Sequence, residues 1–177
     1  TISTDFADVT NTSGLFQYRL SVRNYYNMAM DRILMYDVFP HVGDGRNSAF
    51  SNTLQGPLEL KIGSTDVSDK YDIYYRTDRY PDRTDKNELN SSAWTKNPGD
   101  YTKVKAIKIV GKNGTTLEPY TVLSAYLTMK APTYDPKLSE AVANNTFSVI
   151  YNDEVKLRET DVVSNKLIDK MDVEATK

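Results

Sequence analysis

The chain has 177 residues, no Cys, a single His and a formal net charge of −2. That composition excludes disulfides, thiol nucleophiles and thiolate metal sites, and one His is too few for a His-rich metal centre. The balance of 22 basic against 24 acidic side chains argues against a nucleic-acid binder, which carries a basic excess to neutralise phosphates. No apolar run is long enough to span a membrane, and no signal peptide opens the sequence.

What remains leans toward β structure. Thirteen Tyr, 18 Thr and 14 Val suit a pleated, half-buried surface, and the 30 Asn and Asp residues supply turns. Residues 1–14 read as a lead-in strand or linker. Phe16, Tyr18, Leu20 and Val22 then alternate with polar partners, which predicts a strand with one face buried. Ile33 to Phe39 is a nearly continuous apolar run broken only by Asp37 and stopped by Pro40, consistent with a second strand buried at its centre. Residues 41–48 hold two Gly and read as a loop. Leu58, Leu60 and Ile62 mark a third strand, and Tyr71, Ile73 and Tyr75 a fourth.

Residues 77–100 are rich in charge and turn formers and read as a long surface loop carrying the only Trp, Trp94. From Lys103 to Val110 the alternation slips at Ala106, which predicts a bulge. Asn113-Gly114 is a hairpin turn, and Leu123, Ala125, Leu127 and Met129 predict the next long strand. Asp135-Pro136 has the form of a helix start, so residues 136–143 are expected to form one short helix. Phe147, Val149 and Tyr151 alternate again. Val155 and Leu157 suggest a short partner strand, and Leu167, Met171 and Val173 a last one. Many short strands with regular turn signals predict an all-β, elaborated sandwich of immunoglobulin-like type. A single domain over 15–177 is the simplest division, with 77–100 the place where two smaller units would part.

The candidate chemistry is sparse. Asp78, Asp82 and Asp85 lie in one loop and could contribute carboxylates to Ca2+, although Arg76, Arg79, Arg83 and Lys86 interleave them. His41 and Asp44 lack a nucleophile motif, and no acid pair stands out in an apolar context, so the chain is read as a non-enzyme. Arg46, Tyr74, Tyr80, Trp94 and Tyr101 are the candidate ligand contacts, because aromatic and Arg side chains on loops anchor sugars and proteins. Tyr71 and Tyr75 are instead assigned to the core. A Lys–Asn amide crosslink would need a desolvated amine beside a buried acid. The candidates are Lys61, Lys105, Lys108 and Lys130, with Asn24, Asn144, Asn145 and Asn152, and the first three lysines alternate outward.

Several ordered phrases carry a resemblance: FQYRLSVRN (16–24), MYDVFPHVGD (35–44), YDIYYRTD (71–78), VKAIKI (104–109), MKAP (129–132) and ANNTF (143–147). In order and spacing they resemble the repeated β-sandwich domains of Gram-positive, wall-anchored surface proteins. The resemblance implies a secreted, extracellular cell-adhesion module excised from a longer cell-wall protein, binding a host matrix protein or glycan through its loops and packing against neighbouring domains of its parent. Its alternatives are a structural spacer, with or without an internal Lys–Asn isopeptide bond, and a calcium-dependent carbohydrate-binding module. The resemblance covers most of residues 15–152, and no lysine, acid and asparagine trio maps onto it residue by residue.

Overall fold

A computed structural model describes residues 2–4, 14–152, 154, 156–160 and 162–167. Strands β1 (Ile2–Thr4), β2 (Leu15–Arg23), β3 (Met30–Asp31), β4 (Leu34–Val38), β5 (Thr53–Leu54), β6 (Glu59–Ile62) and β7 (Thr65–Asp66) come first. They are followed by β8 (Tyr71–Arg76), β9 (Ala106–Gly111), β10 (Thr116–Leu117) and β11 (Val122–Lys130). The last are β12 (Val142–Asn145), β13 (Ser148–Ile150), β14 (Arg158–Glu159) and β15 (Val163–Lys166). One sheet runs β1-β2-β11-β6-β7, with β5 also on β11; the other runs β14-β13-β4-β9-β8. The pairs β3–β10 and β12–β15 stand beside them.

The alternation of apolar residues sets the register of the first sheet. Strands β2 and β11 pair from Leu15 opposite Lys130 to Arg23 opposite Val122. Tyr18, Leu20 and Val22 thereby share one face with Leu123, Ala125, Leu127 and Met129, and all are buried. A slip of one residue would turn this whole set to solvent. From the second sheet Met35, Ile107, Ile109 and Val149 close the same core. Each such aliphatic side chain contributes roughly 1.5–3 kcal/mol on burial.

The second sheet is covered on both faces, and this corrects the bulge expected at Ala106. Strand β9 pairs without interruption to β4 and to β8. Its alternation slips because Ala106, on the outer face, is buried with Tyr36, Val38, Leu89 and Trp94 under the connection that follows β8. That connection, residues 77–105, lies between two strands that are hydrogen-bonded neighbours.

The helix expected over 136–143 is also corrected. Asp135 does cap a helical start, its carboxylate accepting from the Lys137 N–H, but only a 3-10 turn, Pro136–Leu138, forms. Glu140 turns to a positive φ of 59°, and its N–H donates to the Leu167 carbonyl. The Leu167 N–H in turn donates to the Ala141 carbonyl. Pairing with β15 therefore takes the backbone groups a helix would need. Of the partner strand expected at Val155 and Leu157, Val155 lies outside the described residues, and the strand that pairs with β13 is β14. Met171 and Val173 lie outside the described residues, as does most of 1–14.

Candidate functional site

The distinctive site is inside the sandwich. Asp37 follows Met35 on the inward face of β4, is 1% exposed, and accepts a 2.9 Å hydrogen bond from the Asn145 carboxamide on β12. Its other oxygen has no partner. Burial drives its pKa up to about 7, against the opposing pull of the Asn145 bond and the nearby Arg46 charge. Across the core, the Tyr18 hydroxyl donates to Asn165 at 3.1 Å and accepts from Asn52 at 3.2 Å. Burial, reinforced by the Asp37 charge, raises the Tyr18 pKa well above the ordinary phenol value. Asn52 and Asn165 bond each other reciprocally at 3.0 and 3.2 Å.

Arg46 closes one end of this cluster. Its guanidinium donates to the Val38 carbonyl at 2.8 Å, to Asn145 and Thr146 at 3.2–3.4 Å, and to Asp44 at 3.1 Å. Burial works against the Asp44 charge. The Ser48 hydroxyl, the Arg46 N–H and guanidinium and the His41 N–H outweigh it and hold the carboxyl below its usual range. The Asp44-Gly45-Arg46 segment thus folds inward and ties the end of β4 to β12 and the turn after it. The Arg46 side chain, expected as a ligand contact, is 3% exposed, and its donors face groups of its own chain.

The aromatic candidates do not form one open patch. Trp94 packs edge-on against Tyr36 and donates its indole N–H to the Glu88 carbonyl. Tyr80 stacks on His41 with ring centres 3.8 Å apart. Tyr74 lies beneath the Lys96 and Lys108 amines, and Tyr101 meets Tyr75 edge-on. All four are half-buried, and they hold residues 77–101 against the second sheet. Tyr71 and Tyr75 are buried in the core.

Asp78, Asp82 and Asp85 diverge. Asp78 accepts from Arg76 at 2.7 Å, Asp82 accepts from the Thr84 N–H and hydroxyl, and Asp85 caps the turn Lys86–Asn90. Among the described residues no three acid or His side chains converge on a metal position.

Sequence reasoning missed the acid. Asp37 was legible as the one charge inside an apolar strand, two residues on from an inward Met, and Asn145 as part of ANNTF. An acid beside a carboxamide in a dry interior supplies two of the three groups an amide crosslink needs. Among the described residues the amine is the missing one. No described lysine is buried. Lys61 pairs with Glu59, Lys105 and Lys108 lie over the Tyr80 and Tyr74 rings, and Lys130 is exposed. Asn24 is engaged elsewhere, donating to the Met28 and Leu117 carbonyls. Asn144 donates to the Arg46 carbonyl, and the Asn152 carboxamide accepts from the Asp31 N–H.

No family model and no curated protein matches the chain. Solved structures do. A variant of BcpA, the major pilin subunit of Bacillus cereus, superposes with a TM-score of 0.58 at 11% identity, over 94% of this chain and 40% of that one. Domains D2 and D3 of the major pilin SpaD from Corynebacterium diphtheriae give 0.53 at 11% identity, over 93% and 51%. The Enterococcus faecalis MSCRAMM ACE gives 0.52 at 9% identity, over 94% and 50%. The fold is therefore the immunoglobulin-like β-sandwich found in Gram-positive pilins and MSCRAMM adhesins. At this identity the likeness is one of fold, and the chain spans about half or less of the length of these three proteins.

Proposed function

We propose that the chain is an extracellular module of a bacterial surface protein, of pilin or adhesin type, and that it serves chiefly as a rigid, non-enzymatic structural unit. One observation carries this reading: the two connections expected to hold a ligand, 41–52 and 77–101, are packed down on the sandwich. Phe50 and Asn52 are buried, and Arg76, 2% exposed, anchors the second connection through Asp78 and Glu88 beneath Trp94. Glu88 also clasps Arg79 through two 2.8 Å bonds. The pilins among the structural neighbours favour such a role, and neighbouring domains of a parent chain are its natural partners.

Limited trypsin digestion tests the reading. Arg79, Arg83, Lys86, Lys96, Lys103 and Lys105 offer cleavage points in 77–105. A packed connection leaves them uncut while the fold persists. Rapid cleavage there in the native protein would overturn the proposal.

A second reading, an adhesive module, rests on a different place. Tyr25, Tyr26, Met28 and Tyr120 are 50–74% exposed on two connections that Asn24 ties together. Tyr120 adopts a φ of 62°, costly for a bulky residue. Replacing these tyrosines by Ser leaves the melting midpoint unchanged and abolishes capture on a host-matrix array if this reading holds.

A further inference from the structure

Two tyrosines meet at the surface where the connection after β2 lies beside the end of β13. The Tyr26 and Tyr151 hydroxyls are 3.4 Å apart, with ring centres at 6.5 Å and ring planes tilted by 47°. Phenols meeting end to end through their hydroxyls would hold their centres farther apart. The rings therefore lean together, and the carbons beside the two hydroxyls approach each other. All 13 tyrosines fall among the described residues, and this is the one contact there between two phenol hydroxyls. The other tyrosine pair, Tyr75 and Tyr101, meets edge-on at 88°, with Tyr75 buried and its hydroxyl accepting from the Leu58 N–H.

Both partners are held from behind. Buried Asn24 accepts from the Tyr26 N–H and donates to the Met28 and Leu117 carbonyls, which fixes the turn that carries Tyr26. Next to Tyr151, Asn152 exchanges two bonds with Asp31 on β3. Its N–H donates to the Asp31 carbonyl at 2.9 Å, and its carboxamide accepts from the Asp31 N–H at 2.8 Å. Tyr151 packs its ring on the core, whereas Tyr26 is 55% exposed, so the pair is both anchored and open to a reagent. The bond to the Tyr26 hydroxyl, and then burial, push the Tyr151 pKa up to about 12. Its phenol is protonated at neutral pH and must release a proton with its electron when oxidised. Holding two reacting groups in contact makes their coupling effectively unimolecular.

We propose that Tyr26 and Tyr151 form an oxidative crosslinking site, joined as dityrosine by hydrogen peroxide with a peroxidase. Each phenol gives up one electron and one proton. One peroxide takes up both electrons and both protons and becomes two waters. The two phenoxyl radicals then form a carbon–carbon bond between positions ortho to their oxygens. The hydrogen on each joined carbon leaves as a proton, and one proton returns to each oxygen, which restores both aromatic rings. The net loss is two hydrogens. The new bond joins residues 125 positions apart, and a crosslink of that span stabilises by restricting the unfolded chain. Being carbon–carbon, it is neither cut nor reshuffled by thiols. The site stands whether the module is structural or adhesive.

Treatment of the whole chain with a haem peroxidase and hydrogen peroxide tests the proposal, read by dityrosine fluorescence and by mapping of tryptic peptides. The expected product is a monomer in which peptides 24–32 and 138–156 are joined through Tyr26 and Tyr151, with the mass of two hydrogens lost. Its melting midpoint should lie above that of the untreated chain. Tyr26→Phe and Tyr151→Phe should each lower the yield of this link at least tenfold, and Tyr134→Phe, outside the pair, should leave it unchanged. Should Tyr151→Phe fail to fold, Tyr26→Phe, at an exposed position, decides. No link between the two peptides, a link that maps to Tyr25, a product that is chiefly dimeric, or full yield in Tyr26→Phe would each overturn the proposal. An unchanged melting midpoint in the linked chain would overturn its stabilising role.

Discussion

Asp37 occupies a position where its neighbours on the inward face are Met35 and Phe39, and its second oxygen has no hydrogen-bond partner within the chain. Its folded pKa of about 7 lies above the ordinary carboxylate value. The folded state therefore binds a proton that the unfolded chain has already released between about pH 4 and 7, and stability falls as pH rises through that window. Asp44 has the opposite sign. Its depressed pKa makes it stabilising above the ordinary carboxylate range, and that contribution is lost as pH falls through the folded value. For these two groups alone the opposing slopes cross near the ordinary carboxylate value, about pH 4. Asp37→Asn keeps an acceptor for Asn145 and removes the buried charge. The variant should gain on the order of 2–4 kcal/mol at pH 8 and little or nothing at pH 4. Urea titrations at the two pH values check this. Equal gains at both would mean that Asp37 is ionised without penalty.

At the scale of single elements, strands β2 and β11 show what local pattern can carry. One face of each meets the core and the other meets water, so period two in the sequence is period two in burial. Strand β9 breaks the pattern because a neighbour 12 or more residues away covers its outer face, and no local window contains that fact. The same holds for 77–101. Its charge and turn formers are those of a solvated loop, yet Trp94 and Leu89 are placed by Tyr36 and Val38 on another strand. The start at Asp135-Pro136 was legible because capping is local. Its early end was not, because Leu167, far along the chain, takes the backbone groups of Glu140 and Ala141. Trp94→Ala should consequently cost about 2 kcal/mol or more, as a half-buried relative of the 3–5 kcal/mol typical of core aromatics. Chemical denaturation measures it. A loss under 0.5 kcal/mol, the usual surface value, would place Trp94 outside the packing.

For the whole molecule, the β-sandwich class followed from the strand pattern, whereas the order of strands in the sheets and the interior cluster did not. Tyr18, Asp37, Asn52, Asn145 and Asn165 come from five separate stretches, and only the closed sandwich brings them together. With no buried lysine among the described residues, the intact mass should equal that of the sequence, with no ammonia lost. A deficit of one ammonia would reveal an amide bond formed elsewhere. With the loop aspartates turned to separate partners, melting midpoints in calcium and in chelator should coincide, since an ion that binds only the native state must raise stability. A higher midpoint in calcium would restore the metal reading.

The long-range clasps, Arg46 to Asn145 across 99 residues and Asn52 to Asn165 across 113, join distant stretches of chain much as a cystine bridge would, but with bonds that open and re-form unaided. Nothing in this protein can be scrambled by oxidation or cut by a reductant. It should mature equally well in a thiol-rich compartment and outside the cell, and regain its shape on cooling after heat has undone it.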